Sequence, residues 1–222
     1  MIDEKNSQEK IPRLKIQSLS DLIFGLALSI GALTLISQKP TNLLEIELSL
    51  LYFGFAFYVL SSVWARYSRI MSVLHAETGP VIAINIVLLF LVSVEPYLYN
   101  LMIGSSNAPP PGQLYLGTTT SLFAVDMGLM MLILAYLSSQ LVIEEKKLVP
   151  KELFRTYRLQ AYASVVTAAL FFVSILPVFW SFTIFGLQTR FLLWSGFAIV
   201  LNARRFLEWR LKKSVDKTMK NK

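Results

Sequence analysis

Long apolar runs, separated by short charged or proline-containing segments, are the feature that most constrains this chain. A helix needs about 20 mostly apolar residues to cross about 30 Å of hydrocarbon. Six stretches come close to that length, and they are predicted as spans at 16–37, 48–65, 80–103, 116–143, 161–187 and 191–207. Only a few residues around Gln188 separate the last two, so a single re-entrant hairpin is the alternative there. The sequence therefore predicts an all-α polytopic membrane protein with one transmembrane domain and a short basic tail at 208–222.

The charged residues support this prediction and orient the chain. They make up only 16% of the 222 residues, whereas soluble domains carry about 25%. Of the 21 Lys and Arg residues, all except Lys39 and Arg190 lie in the N-terminal arm, in the loops after the second and fourth spans, or in the C-terminal segment that begins at Arg204. Basic loops stay in the cytoplasm, so six spans place both termini in the cytoplasm. The protein is therefore expected to be a multi-pass protein of the cell membrane. This segregation into short loops also argues against a nucleic-acid-binding surface.

The inventory of catalytic residues is small. The chain has no cysteine, which excludes disulfides and thiolate ligands. His75 is the single histidine, so a His-x-x-x-His zinc site is not possible. No Gly-rich phosphate loop or Gly-x-Ser-x-Gly motif occurs. We therefore predict neither an enzyme nor a bound metal or cofactor.

Three carboxylates lie inside the predicted spans, where an ionisable group costs about 2.5–3.5 kcal/mol at the bilayer centre. They are Asp21, Glu95 and Asp126, and Asn85 adds a neutral polar group. One interpretation is an ion path or a proton relay, and the other is interhelical hydrogen bonding that fixes packing. Glu95 directly precedes Pro96, so it either satisfies the interrupted helix backbone or faces the outer water.

The first span has two distinct faces when it is drawn with 3.6 residues per turn. One stripe consists of Leu22, Leu26, Ser29, Leu33 and Ile36. Small residues lie elsewhere on the helix, and Gly25 and Ala32 share one face. Ala27 and Gly31 form a small-x-x-x-small pair, which permits close packing of a neighbouring helix. The stripe faces lipid, the core of the monomer or a symmetry axis.

The stretch from Lys15 to Ser29 resembles a known signature. In the prokaryotic relatives of the lysosomal potassium channel, the transmembrane protein 175 family, the first helix carries Arg-x-x-x-Phe-Ser-Asp. Lys15 here stands for the Arg and Leu19 for the Phe, whereas Ser20 and Asp21 agree.

Two further stretches are similar to the same family, in the same order along the chain. Trp64-Ala-Arg-Tyr67-Ser-Arg69 resembles the Trp-x-x-His-x-Arg motif that ends the second helix, with Tyr67 in place of the His. The run from Asn85 through Ser93 to Pro96 resembles the motif of the third helix, in which Glu95 is unusual.

The resemblance implies a potassium-conducting cation channel, a symmetric homotetramer with six helices per subunit in which the first helix lines the pore. It assigns Leu26 to the hydrophobic constriction, Ser29 to a ring of hydroxyls and Leu33 to the next pore-facing ring. It also implies that the signature at Lys15, Leu19, Ser20 and Asp21 packs against Trp64, Tyr67 and Asn85 on the second and third helices. No Thr-Val-Gly-Tyr-Gly filter is present, so selectivity for potassium would be modest. A proton-coupled secondary transporter that uses Glu95 and Asp126 is the alternative, and a non-conducting membrane scaffold or enzyme subunit is a third hypothesis.

Overall fold

A computed structural model describes residues 4–37, 43–74, 79–105, 115–143, 151–184 and 187–200. The helices are α1 Glu4–Ser37, α2 Leu43–Met71, α3 Gly79–Ile103, α4 Leu116–Gln140, α5 Lys151–Val173, α6 Val178–Ser181 and α7 Thr189–Val200. Two short antiparallel strands, β1 Thr183–Ile184 and β2 Leu187–Gln188, form a hairpin between α6 and α7. Apart from this hairpin, the described elements are helical.

Four of the described helices are long and apolar enough to cross a membrane, in the segments Gln17–Ile36, Glu45–Met71, Gly79–Ile103 and Leu116–Gln140. These segments overlap the first four predicted spans. Gly79-Pro80 opens α3 as the sequence suggests, because the missing N–H of proline costs nothing in the first turn of a helix. His75 and the basic tail at 208–222 lie outside the described residues.

The backbone differs from a continuous helix over 161–187. Helix α5 ends at Val173, and turns at 174–177 lead into the single-turn helix α6 and the hairpin. Pro177 lacks a backbone N–H and disfavours helical geometry in the residue before it, and Phe182 then has an extended backbone. Of the sixth predicted span, 191–207, the structure describes the part up to Val200 as α7. Whether α5 and α7 both cross the membrane stays a prediction.

The chain divides into two compact units, Met1–Asp126 and Met127–Lys222. In the first unit, α1 packs against both α2 and α3. Helix α2 contributes a buried stripe at three- and four-residue intervals, which is the pattern expected for one packed helix face. The stripe consists of Ala56, Val59, Leu60, Val63, Tyr67, Ile70 and Met71.

The second unit has an aromatic centre. Phe171 of α5 contacts Trp194 and Phe197 of α7, with ring centroids 5.9 and 6.5 Å apart. The indole N–H of Trp194 donates to the hydroxyl of Ser174, over 2.8 Å. The hairpin is closed by Thr189, whose backbone N–H and hydroxyl both donate to the carbonyl of Phe182.

Candidate functional site

Helix α1 presents its apolar stripe outward, away from the rest of its unit. Leu22, Leu26, Ser29, Leu33 and Ile36 are all exposed, and the side chain of Leu26 is 57% exposed. The stripe therefore does not face the core of the monomer, one of the three interpretations that the sequence leaves open. A lipid-facing stripe and a stripe on a symmetry axis both agree with this exposure.

The opposite face of α1 is packed against α2 and α3. Ser20, Phe24, Ala27 and Gly31 are buried there, at four- and three-residue intervals. A Cβ atom at Gly31 would lie 3.6 Å from the ring of Phe53 on α2, so the small residues allow this close approach. The pair Ala27 and Gly31 thus serves packing within the subunit.

A buried hydroxyl joins three helices at the end of α1 that carries the signature. The Tyr67 hydroxyl of α2 lies 2.7 Å from the hydroxyl of Ser20 on α1. The side chain of Asn85 on α3 also hydrogen-bonds the Tyr67 hydroxyl. Ser20, Tyr67 and Asn85 are all nearly inaccessible to solvent. The phenol group therefore forms the polar centre of this helix junction.

Two other signature residues meet beside this junction. The indole N–H of Trp64 donates to a carboxylate oxygen of Asp21 over 2.8 Å. Leu19 is exposed, so it takes no part in the buried junction. Lys15 is part of helix α1, but its side chain is outside the described part of the chain. The structure thus brings Asp21 and Trp64 together and leaves Leu19 apart.

Ser29 differs from its leucine neighbours on the stripe. Its hydroxyl donates to the backbone carbonyl of Gly25, one turn earlier, over 2.8 Å. A hydroxyl has one proton to donate and two lone pairs that accept. Because the proton is used within the helix, the oxygen lone pairs remain available on an exposed face.

The carboxyls of Glu95 and Asp126 are both buried, being 3% and 4% exposed. Of the two positions that the sequence allows for Glu95, the one that faces outer water is therefore wrong. Its neighbour Pro96 lies inside α3, and the helix continues past it to Ile103. Among the described residues, neither the Oε1 atom of Glu95 nor the Oδ2 atom of Asp126 has a hydrogen-bond partner. These two acids do not belong to the exposed stripe.

Phe24 and Tyr99 are site residues that the sequence analysis missed. The ring of Phe24 contacts that of Tyr67 at a centroid distance of 5.7 Å. The hydroxyl of Tyr99 donates to the backbone carbonyl of Ser49 over 3.2 Å, which ties α3 to α2. The spacing of Phe24 from Ser20 and Ala27 was the available signal, because it puts all three on the face opposite the leucine stripe. Tyr99 gave no such signal.

Metal binding receives no support from the part of the chain that the structure covers. Within those residues, no group of three or more His, Cys, Asp or Glu side chains is placed to hold a metal ion. The candidate site consists of the apolar stripe on α1, the Ser29 hydroxyl within that stripe, and the buried junction of Ser20, Tyr67 and Asn85.

Comparison with known proteins finds two similarities, one in sequence and one in fold. Residues 15–96 match the family described as endosomal/lysosomal potassium channel TMEM175. The fold is similar to the crystal structure of a lysosomal potassium-selective channel TMEM175 homolog from Chamaesiphon minutus, with a TM-score of 0.54 and 20% sequence identity. This similarity covers 74% of the present chain and 88% of the bacterial one. The similarity to the TMEM175 family thus rests on residues 15–96, and the likeness of the fold extends further along the chain.

The matched segment contains α1 from Lys15 onward, all of α2 and most of α3, ending at Pro96. It therefore includes the exposed stripe and the whole junction of Ser20, Tyr67 and Asn85. A search among curated proteins finds no match to this chain. With its four long apolar helices, the chain is a multi-pass membrane protein.

Proposed function

We propose that this chain is one subunit of a tetrameric cation channel that conducts potassium, with α1 lining the pore. The observation that carries the proposal is the exposed stripe on α1, which lies in the segment that matches a potassium-channel family. Four copies of the stripe around a symmetry axis would bury it without any change within the subunit. The family match supports the symmetry axis over lipid, and it does not favour the proton-coupled transporter.

Leu26 forms the constriction in this proposal. A ring of leucine side chains around the axis leaves a narrow apolar passage, and a hydrated cation must lose part of its water to cross it. No ring of backbone carbonyls replaces that water, so the barrier is one of dewetting. Leu33 repeats the arrangement two turns further along α1, and Ser29 lies between them.

Selection among cations then rests on the pore radius and on the Ser29 hydroxyls. Their lone pairs offer oxygen ligands to a partly dehydrated ion, but one such ring is weak compared with a stack of carbonyl rings. Preference for potassium over sodium should therefore be modest. Both termini lie in the cytoplasm, and potassium ions, lipid and further copies of the chain are the partners in this proposal.

The test is potassium flux through purified protein in liposomes. Leu26→Ala removes three carbons per subunit, so flux should rise while the protein still assembles as a tetramer. Leu51→Ala on α2 is a matched control, since Leu51 is also 57% exposed and carries the same side chain. The control should keep the parental flux. Unchanged flux in a well-folded Leu26→Ala protein would contradict the pore assignment.

A further inference from the structure

A small cavity lies behind α1, on the side away from the stripe. Its lining includes Ala27 and Gly31 of α1, Phe53 of α2, and Glu95 and Tyr99 of α3. All these residues belong to the first compact unit. The space open to the centre of a water molecule is about 10 Å³, close to the lower limit of about 10–15 Å³ that one buried water needs. The cavity therefore has room for one water molecule and not for an acyl chain.

Two side chains of α3 make the cavity polar. Among the described residues that line it, Glu95 and Tyr99 alone carry polar side chains, and the others are Ala, Leu, Gly and Phe. Glu95 is buried, and its Oε1 atom has no hydrogen-bond partner within the described residues. The Tyr99 hydroxyl donates its proton to the backbone carbonyl of Ser49, so its lone pairs remain to accept a hydrogen bond. An unsatisfied carboxyl thus shares the cavity with a hydroxyl that can still accept.

Glu95 and Tyr99 are placed to share one bound molecule. They are four residues apart on α3, so both project from the same face of that helix. The ring of Tyr99 contacts that of Phe53 at a centroid distance of 6.1 Å, which holds the phenol against α2. A water molecule confined to about 10 Å³ lies against the whole lining, and therefore within reach of both polar groups.

Other occupants fit this cavity less well than water. Hard divalent cations take about six to eight oxygen ligands, whereas the described lining offers side-chain oxygens from Glu95 and Tyr99 only. A cavity stays empty where its lining is apolar, but a buried carboxyl without a hydrogen bond is costly. Water bonds a carboxyl in either protonation state, because it donates to an ionised carboxylate and accepts from a protonated acid.

We propose that this cavity is a binding site for a single water molecule, which hydrogen-bonds the Glu95 carboxyl and the Tyr99 hydroxyl behind α1. The water gives Glu95 Oε1 the partner that it lacks within the described residues. Because Tyr99 is itself bonded to Ser49 of α2, the water connects Glu95 to the contact between α2 and α3. The site is formed within one subunit and does not depend on the proposed channel function.

Radiolytic labelling of the purified protein tests the site. X-rays split bound water into hydroxyl radicals, which oxidise the nearest side chains, including those that radicals from bulk solvent do not reach. Tyr67 is the matched reference, because Tyr99 and Tyr67 are 1% and 0% exposed and Tyr67 does not line the cavity. Mass spectrometry of the wild type should show oxidation of Tyr99 several times faster than that of Tyr67. Equal rates for the two tyrosines overturn the proposal.

Two substitutions test the part played by the carboxyl. Glu95→Gln keeps groups that hydrogen-bond water, so oxidation of Tyr99 should stay fast. Glu95→Leu removes them, and the rate should fall to that of Tyr67. A folded Glu95→Leu protein in which Tyr99 is oxidised as fast as in the wild type overturns the role of Glu95.

A high-resolution structure of the wild type gives a second measurement that needs no variant. Density for one water should lie about 2.5–3.0 Å from both the Glu95 carboxyl and the Tyr99 hydroxyl. A cavity without such density overturns the proposal. Neither measurement needs conduction, so a protein that fails to conduct potassium contradicts the proposed channel function and leaves the water site to be decided by these two results.

Discussion

The hydroxyl of one side chain, Tyr67, connects three helices of this chain. Its phenol group lies where α1, α2 and α3 meet, and it bonds Ser20 on one side and Asn85 on the other. Phe24 covers its ring. Hydrogen bonds between helices hold membrane proteins together where apolar packing alone gives little specificity. The junction therefore fixes the rotation of α1, and with it the direction of the leucine stripe.

Tyr67→Phe should lower stability by about 1–3 kcal/mol, because the buried Ser20 hydroxyl and the Asn85 amide each lose a hydrogen bond. Thermal unfolding of the purified protein measures the loss. The double variant Ser20→Ala/Tyr67→Phe should lose less than the sum of the two single variants, since both ends of one bond are then gone. Tyr97→Phe, on the exposed face of α3, is the control and should leave stability unchanged. A Tyr67→Phe protein as stable as this control would refute the role of the hydroxyl.

Ser29 allows a second test at the same scale. Its proton is held by the Gly25 carbonyl, so its lone pairs are free to meet a cation. Ser29→Ala should weaken the preference for potassium over sodium while current persists, and Ser29→Thr should keep it, because the hydroxyl is retained. Reversal potentials in mixed potassium and sodium solutions provide the measurement. Identical values for all three proteins would remove Ser29 from the pore.

Helices α4 and α5 approach each other closely at a glycine. A Cβ atom at Gly128 of α4 would lie 2.8 Å from the ring of Phe172 on α5, which is nearer than side-chain atoms normally come. The part of α4 that belongs to the second unit therefore approaches α5 through a glycine. Small residues have this role in membrane helices, where close backbone contact replaces the hydrophobic effect as the source of association.

Gly128→Ala should destabilise the protein by about 1–3 kcal/mol, because the methyl group forces the Phe172 ring to move. Thermal unfolding in detergent measures this. Adding Phe172→Leu should restore part of the loss by making room. Gly54→Ala is the matched control, since nothing lies within 4 Å of a Cβ atom there. Its stability should be unchanged or slightly higher, as alanine favours helix over glycine. Equal behaviour of the two alanine variants would mean that Gly128 is not a packing position.

The helices also show what the sequence could and could not predict. Hydropathy located α1 to α4, since about 20 apolar residues form a signal that few other structures produce. The spacing of Leu22, Leu26 and Leu33 predicted one common face, and that face is exposed. The spacing could not reveal the bond between Ser20 and Tyr67, because this bond depends on how α1 and α2 are rotated against each other. The end of α5 could not be located from the sequence either. Hydropathy averaged over the run 161–187 stays high through the turns before Pro177, so it does not show that the helix ends at Val173.

At the scale of the whole molecule, the path of the chain after α5 is the main question. Helix α5 has 23 residues, but its first two turns carry Lys151, Arg155 and Arg158. The apolar part from Ala161 to Val173 extends only about 20 Å, which is less than the hydrocarbon thickness of about 30 Å. To complete a crossing, the turns and α6 must cover the remaining distance. The hairpin then lies at the outer interface, because irregular backbone is not tolerated against lipid tails.

Cysteine labelling tests this path, and the absence of native cysteine makes it clean. Thr183 lies exposed on β1, so Thr183→Cys should react with a membrane-impermeant reagent from outside intact cells. Ser72→Cys, in the exposed turn after α2, should react only in inside-out vesicles, because the basic residues Arg66 and Arg69 keep that turn in the cytoplasm. Labelling of both cysteines from the same side would mean that α5 and the segment after it do not cross the membrane.

The number of spans follows from the outcome. Labelling from the same side leaves four spans, with α7 on the cytoplasmic side. Labelling from opposite sides requires a fifth crossing. With the basic tail in the cytoplasm, a fifth crossing in turn requires α7 to return as the sixth.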